Sequence, residues 1–271
     1  MNGRRIECTI LGSGSSGGVP RIGGHWGACD PKNPKNRRSR CSLLVRQFDS
    51  APHPTAALVD TSPDMREQLL AANVGRLNAV LYTHDHADQT HGIDDLRMVA
   101  INIRSRVRIY ADDATQSALT TRFGYCFETP EGSGYPPILD LHRIDRPLAP
   151  VTVEGEGGPL LALPFEQEHG SIMSLGFRFG PIAYSADVSD MPDESFEALK
   201  GVKCWIVDAL RYTPHPTHAN VETALKWIER VKPEHAILTN LHVDLDYETL
   251  RKELPAGVEP AYDGLSVEYE L

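Results

Sequence analysis

Nowhere in the 271 residues does an apolar run approach membrane-spanning length, so no helical span is expected. Positive charge is scarce. The 27 Lys and Arg stand against 37 Asp and Glu, for a net charge of −10. Affinity for nucleic-acid polymers comes from clustered cations on phosphates, so no stable nucleic-acid polymer partner is expected. No CxxC pair occurs. The five cysteines (Cys8, Cys29, Cys41, Cys126, Cys204) are odd in number and scattered, which suggests neither a disulfide framework nor a zinc ribbon. No secretory leader is expected, because Met1-Asn2-Gly3-Arg4-Arg5 runs straight into a strand pattern, and a cytoplasmic protein is the expectation. No internal repeat stands out. With 41% apolar residues the chain can bury a substantial core, and its length fits one large α/β domain or two small ones.

The segment Gly12-Ser13-Gly14-Ser15-Ser16-Gly17 follows a strand, Arg4–Leu11, and matches a dinucleotide-binding fingerprint. Its context excludes that reading. Such a site needs a helix opening directly after the glycines, whereas Pro20, Gly23 and Gly24 break one here. The backbone amides could still cradle a phosphate. Residues 21–40 form a long loop with five positive charges between Lys32 and Arg40. Two readings stand: a solvated loop, or electrostatic capture of an anionic substrate.

Further along, Cys41–Phe48 and Thr55–Asp60 read as a hairpin. Ser62 and Pro63 are placed to open a helix reaching Ala72. Residues 94–103 and 112–123 read as helices around a strand at 106–110. A Gly-, Pro- and Tyr-rich stretch follows at 124–137. Tyr125, Phe127 and Tyr135 could stack on a base or form the loop's own small core. Residues 160–165, 172–179 and 182–185 read as strands of a second sheet. A helix at 193–200, a strand at 204–209, a helix from Val221 and a strand at 236–238 come next. A helix opened by Asp246 and a strand pair, 258–261 with 265–269, end the chain.

The most chemically loaded stretch is Thr83-His84-Asp85-His86-Ala87-Asp88-Gln89. It follows the apolar run Ala79-Val80-Leu81-Tyr82 and precedes helix-like sequence. Two histidines two residues apart point the same way from an extended backbone. Imidazoles with a carboxylate suit a divalent catalytic metal that keeps an open position for water.

His-x-His-x-Asp after a short apolar strand resembles the signature of the metallo-β-lactamase-fold hydrolases. The resemblance runs from the glycine loop to the last histidine and implies a single α/β domain over residues 1–271, folded as a four-layer αββα sandwich. It further implies that His84, His86 and His169 hold one metal, and Asp88 and His242 a second, with Asp187 between the two. The family pattern ends in a histidine where this chain has Gln89, a weak ligand at best. Zn2+ is therefore expected firmly in one site, with a weakened second site in which Mn2+ is also compatible. Asp60 matches a carboxylate that orients the metal loop, and His91 is read either as a support behind the ligands or as a helix cap. The resemblance implies attack by a metal-bound hydroxide, with Asp88 and His218 as the catalytic residues and His218 protonating the leaving oxygen.

Gly-Ser-Gly-Ser-Ser-Gly-Gly-Val-Pro and Thr217-His218-Ala219-x-x-Glu222-Thr223-Ala224-Leu225-Lys226-Trp227-Ile228 look most like the phosphoribosyl 1,2-cyclic phosphate phosphodiesterases of phosphonate breakdown. The implied activity is hydrolysis of a small cyclic ribose phosphate or cyclic nucleotide. The implied partner is a small anionic phosphodiester or nucleotide, with no membrane; a homodimer is compatible. Three alternatives stay open. One is a tRNA 3′-processing-type nuclease, another a thioester or lactone hydrolase. The third is a nucleotide- or phosphate-binding accessory protein with little turnover.

Overall fold

The computed structural model describes residues 3–145 and 148–271. The first half contains β1 (Arg5–Gly12), β2 (Ser42–Phe48), β3 (Thr55–Val59), α1 (Met65–Ala71), β4 (Ala79–Leu81), α2 (Ala87–Thr90), α3 (Leu96–Ile103), β5 (Val107–Ala111), α4 (Asp113–Phe127) and β6 (Leu139–Arg143). The second contains β7 (Val151–Val153), β8 (Leu160–His169), β9 (Ile172–Phe179), β10 (Ile182–Ser185), α5 (Asp193–Ala198), β11 (Cys204–Asp208), α6 (Val221–Val231), β12 (His235–Thr239), α7 (Tyr247–Glu253), β13 (Val258–Pro260) and β14 (Ser266–Glu270).

These strands make two sheets, ordered β14-β1-β2-β3-β4-β5-β6 and β13-β12-β11-β10-β9-β8-β7. Each sheet is antiparallel at one end and parallel at the other: β3 to β6 run parallel in the first, β10 to β13 in the second. Strand alternation separates the apolar residues into layers. Ile6, Leu43, Val45 and Val59 face Phe177, Tyr184 and Ile206 between the sheets. Leu44, Leu58, Val80 and Ile109 point the other way, onto Leu69 of α1, Val99 of α3 and Leu119 of α4. On the far side Trp205, Val207 and Leu238 meet Phe196, Trp227 and Leu250 from α5, α6 and α7. The αββα sandwich expected from the sequence is the observed fold. Each fully buried large apolar side chain contributes about 1.5–3 kcal/mol to it.

Several local expectations need correction. Residues 258–261 and 265–269 do not pair with each other. Instead β13 lies parallel to β12 in one sheet, and β14 antiparallel to β1 in the other. The turn at Asp263-Gly264 therefore carries the chain across the sandwich. The Ser62 hydroxyl accepts from Asp64 N (3.0 Å), and α1 starts at Met65, later than Ser62 and Pro63 suggested. The Gly-, Pro- and Tyr-rich stretch begins as helix: α4 continues to Phe127 across a kink at Phe123. Cys126 is buried and Phe127 packs on the outer core, whereas Tyr135 is 76% exposed. Among the described residues no helix is long and apolar enough to cross a membrane.

Candidate metal and catalytic site

The loops after β3, β4, β8, β10, β11 and β12 all reach one edge of the sandwich, and polar side chains at or just beyond the strand ends gather there. Asp60, Asp187 and Asn240 each leave a strand with φ near +60° (62°, 51° and 62°). Asp and Asn tolerate this left-handed turn better than other side chains. The turn lets a buried strand end abruptly in a polar side chain.

His84 follows β4. Buried Asp60 accepts from Thr83 N and from the Thr83 hydroxyl, both at 2.8 Å. Burial pushes the Asp60 pKa well above the usual carboxylate range, and these two bonds offset only part of that rise. Because the Thr83 hydroxyl gives its proton to Asp60, its oxygen accepts from His84 Nδ1–H at 2.9 Å. The His84 Nε2 lone pair is then left buried and without a hydrogen-bond partner. Burial holds His84 neutral, with its pKa near 3. His169 ends β8, and its Nδ1–H donates to Thr217 O at 2.6 Å, so its lone pair is also on Nε2. That nitrogen lies 3.3 Å from His86 Nδ1. The ligand atoms of His84, His86 and His169 lie within 4.8 Å of one another. The His84 and His169 lone pairs face the same small space beside a His86 ring nitrogen, and a cation there would be a partner to all three rings. The donor set therefore fits a divalent metal, and zinc matches three imidazoles.

Asp187 borders this cluster, with Oδ2 3.4 Å from His84 Nε2. Because His84 is neutral, the contact is no ion pair in the absence of a cation. Asp187 also accepts from two amides: Asn240 Nδ2 donates to Oδ1 (2.6 Å) and Gln89 Nε2 to Oδ2 (2.8 Å). Burial would raise Asp187, but the neighbouring histidines and the Asn240 amide outweigh it and hold its pKa below the usual value. Gln89 Nε2 also donates to Asp88 Oδ2 at 3.3 Å. The amide thus presents N–H groups to both carboxylates of the expected second site, and its buried oxygen has no partner. The reverse orientation would set oxygen against two carboxylate oxygens. Burial, together with the charge of Asp187, pushes Asp88 up to about 6.

A second group gathers Asp187, Asp208 and His218. Asp208 ends β11 fully buried, and its Oδ2 accepts from His218 Nδ1–H at 2.8 Å and from Val188 N at 3.1 Å. Burial pushes Asp208 up to about 6. Burial would lower His218, but Asp208 outweighs it and raises His218 to about 9. The imidazole is therefore cationic at neutral pH. It lies 3.6 Å from Asp187 Oδ1, and its ring packs edge-on to His169 with centroids 4.8 Å apart. His218 sits two residues before Asn220, which caps α6 by accepting from Thr223 N.

The structure thus brings together His84, His86, His169, Asp187, Asp88, Gln89 and His218. His242 is not gathered in. Its backbone N donates to Leu210 O (2.9 Å), its Nε2 meets the Arg21 guanidinium, and its Nδ1 lies 3.1 Å from Asp244. Asn240, two residues earlier, is the residue of that loop that touches Asp187. His91 caps the C-terminal end of α2.

Sequence reasoning missed Asp208 and Asn240. The signal for Asp208 was present, since Ile206-Val207-Asp208 repeats the Leu58-Val59-Asp60 pattern of an apolar strand ending in aspartate. Asn240 gave none.

The family model described as beta-lactamase superfamily domain matches residues 55–240. The chain belongs to the beta-lactamase superfamily. Within that superfamily it is 36% identical to a new diphosphatase from the PhnP family, with a TM-score of 0.84 over 98% of each chain. Zn(2+)-bound PqqB from Methylobacterium extorquens shares the fold, at 16% identity and a TM-score of 0.69, over 96% of this chain and 99% of that one. An octanoyltransferase from Porphyromonas gingivalis (strain ATCC BAA-308 / W83) is 34% identical over 269 residues, covering 96% of this chain and 51% of that protein. The chain therefore spans about half the length of that curated relative. Family membership and the histidine cluster support a metal-dependent hydrolase.

Proposed function

We propose that the chain hydrolyses a small phosphodiester, a cyclic ribose phosphate or cyclic nucleotide. The observation that carries the reading is a cationic His218, fixed by a buried carboxylate, with its ring 4.8 Å from a member of the three-histidine cluster. His84, His86, His169 and Asp187 would hold a divalent metal, which would supply Lewis acidity and activate a water. Asp208 fixes the His218 ring and keeps it protonated, and Nε2 is the nitrogen free to deliver a proton to the leaving oxygen. An alkoxide is a poor leaving group, so proton delivery matters most for an oxygen ester. Gln89 holds Asp187 and Asp88 by N–H donation, which favours one metal per chain over two.

The test pairs metal content with turnover. Wild type is expected to carry about one Zn or Mn per chain and to cleave bis-p-nitrophenyl phosphate and a 2′,3′-cyclic nucleotide. His218→Gln should lose about 10²-fold or more in kcat on the nucleotide, the usual weight of a general acid. Loaded wild type that cleaves neither compound would sink the proposal. The half-length match to an octanoyltransferase makes an octanoyl thioester the control substrate. Faster turnover of that compound would move the reading to acyl chemistry.

A further inference from the structure

Four of the five buried cysteines pack among apolar side chains: Cys8 and Cys204 between the sheets, Cys126 in the outer core, and Cys29 beside Val19 and Val243. Cys41 belongs to none of these clusters. It lies just before β2, and the hydroxyl groups of Tyr184 and Thr239 stand around its thiol. Both hydroxyl oxygens are buried without a hydrogen-bond partner among the described residues, so the surroundings of Cys41 are polar. Its Sγ lies 3.5 Å from Asn240 Oδ1, within reach of an S–H donor. The chemistry above makes no use of this contact.

The glycine-rich segment after β1 brings Cys41 and Asn240 together. Gly14 bridges to Arg40 on one side and to Leu241 on the other. Gly14 N donates to Ser39 O, and Leu241 N to Ser13 O, both at 2.8 Å. A Cβ on Gly12 would lie 1.9 Å from Arg40 O, and one on Gly14 would lie 2.9 Å from Ser39 O. Glycine at both positions therefore lets three backbones close up. Cys41 and Asn240, the neighbours of Arg40 and Leu241, then meet, although one precedes β2 and the other follows β12, strands of different sheets.

The orientation of the Asn240 amide is fixed at both ends. Its Nδ2 donates to Asp187 Oδ1 at 2.6 Å, and the reverse orientation would set oxygen against a carboxylate oxygen. Its Oδ1 therefore faces the thiol. An amide oxygen only accepts, so the S–H is the donor. With Asp187 Oδ1 tied to Asn240, Oδ2 is the oxygen turned toward His84 Nε2, at 3.4 Å.

We infer that Cys41 is a positioning residue for the metal centre: its S–H fixes the Asn240 amide, which in turn holds the Asp187 carboxylate with Oδ2 toward the imidazoles. The inference rests on the metal-binding reading of the histidine cluster and is independent of the substrate. Without the donor, Asn240 Oδ1 is buried and unpaired, and the amide gains by turning away from Asp187. Cys41 itself touches no metal, because Asn240 and Asp187 stand between.

The probe is Zn2+ alone. Its affinity for the chelator-stripped full chain is measured by competition with a fluorescent chelator, and the site is the binding that His86→Ala abolishes. Asn240→Ala should weaken that binding about 10–100-fold, the weight of a group that orients a metal ligand. Cys41→Ala and Cys41→Val lack the donor and should weaken it by up to about tenfold. Cys41→Ser keeps a donor and should stay within about twofold of wild type. In an Asn240→Ala background, adding Cys41→Ala should cost nothing further, because the thiol acts through that amide. Thermal melts of the metal-free variants check folding, and the comparison of Cys41→Ser with Cys41→Ala stands even where Cys41→Val fails to fold. An unchanged affinity in Cys41→Ala, equal losses in Cys41→Ser and Cys41→Ala, or additive losses in the double variant would each overturn the positioning role and leave the metal site standing. Wild type that binds no zinc through His86 would overturn the metal reading and the inference together.

Discussion

At position 89 an amide stands where the family pattern has imidazole. Gln89 Nε2 reaches Asp187 and Asp88, so two buried carboxylates are held by hydrogen-bond donation. Imidazole at this position can offer a lone pair instead. Gln89→His is therefore expected to raise bound Zn from about one toward two per chain, read by elemental analysis; an unchanged content would mean the amide is not what limits the second site. The Asp208–His218 pair gives a second expectation. Asp208 raises His218 to about 9, so the protonated acid persists through neutrality and is lost as pH rises through that value. Asp208→Asn removes the raising carboxylate, and the alkaline limb of kcat should move to lower pH by about a unit or more. An unmoved limb would assign it to another group. The residue types of this site were most legible where the ligand-bearing loop leaves a short apolar strand, as after β4. The partners were not. Asp208 and Asn240 are single polar residues whose meaning comes only from the fold that sets them against His218 and Asp187.

The elements read well where one face was apolar and badly where the chain crosses between layers. Strands β1 to β5 and β8 to β12 stood out as runs of buried residues bounded by turns. The short β6 and β7 were missed, and β13 and β14 were joined as a pair because sequence proximity cannot show that Asp263-Gly264 bridges two sheets. Helix caps were more legible. Asp246 opens α7 by accepting from Thr249 N at 3.0 Å, and it also holds the 30–36 loop through Asp30 N (3.1 Å) and Asn36 Nδ2 (2.6 Å). Burial would raise Asp246, but these bonds outweigh it and lower its pKa to about 2. A depressed folded-state pKa means its stabilisation is full above the unfolded value near 3.9 and is lost as pH falls toward 2. Asp246→Ala should cost about 1–2 kcal/mol at pH 7, as a lost cap does. Asp246→Asn should keep most of that stability at pH 7 but flatten the loss between pH 4 and 2. Denaturant melts at pH 7 and pH 3 check both, and equal pH slopes in wild type and Asp246→Asn would show that Asp246 does not set the acid limb.

On the scale of the whole molecule, the site is a seam. His84, His86, Asp88 and Gln89 hang from the sheet containing β4; His169, Asp187, Asp208 and Asn240 hang from the other. The sheets already share a continuous core, yet at this edge they meet through imidazoles whose lone pairs converge and carboxylates held by amides and His218. A cation held there ties one sheet to the other and exists only when both are in place. Binding to the folded state alone stabilises it by about 2.7 kcal/mol when free metal is a hundred times Kd. The melting temperature of chelator-treated protein is therefore expected to climb with added ZnCl2, continuing to rise after the site is saturated. His86→Ala removes an exposed member of the cluster and no core packing, so the variant should melt close to the chelated wild type and respond little to zinc. A zinc response that survives both His86→Ala and His169→Ala would place the stabilising ion away from the seam. No response in wild type would mean that the two sheets close without it.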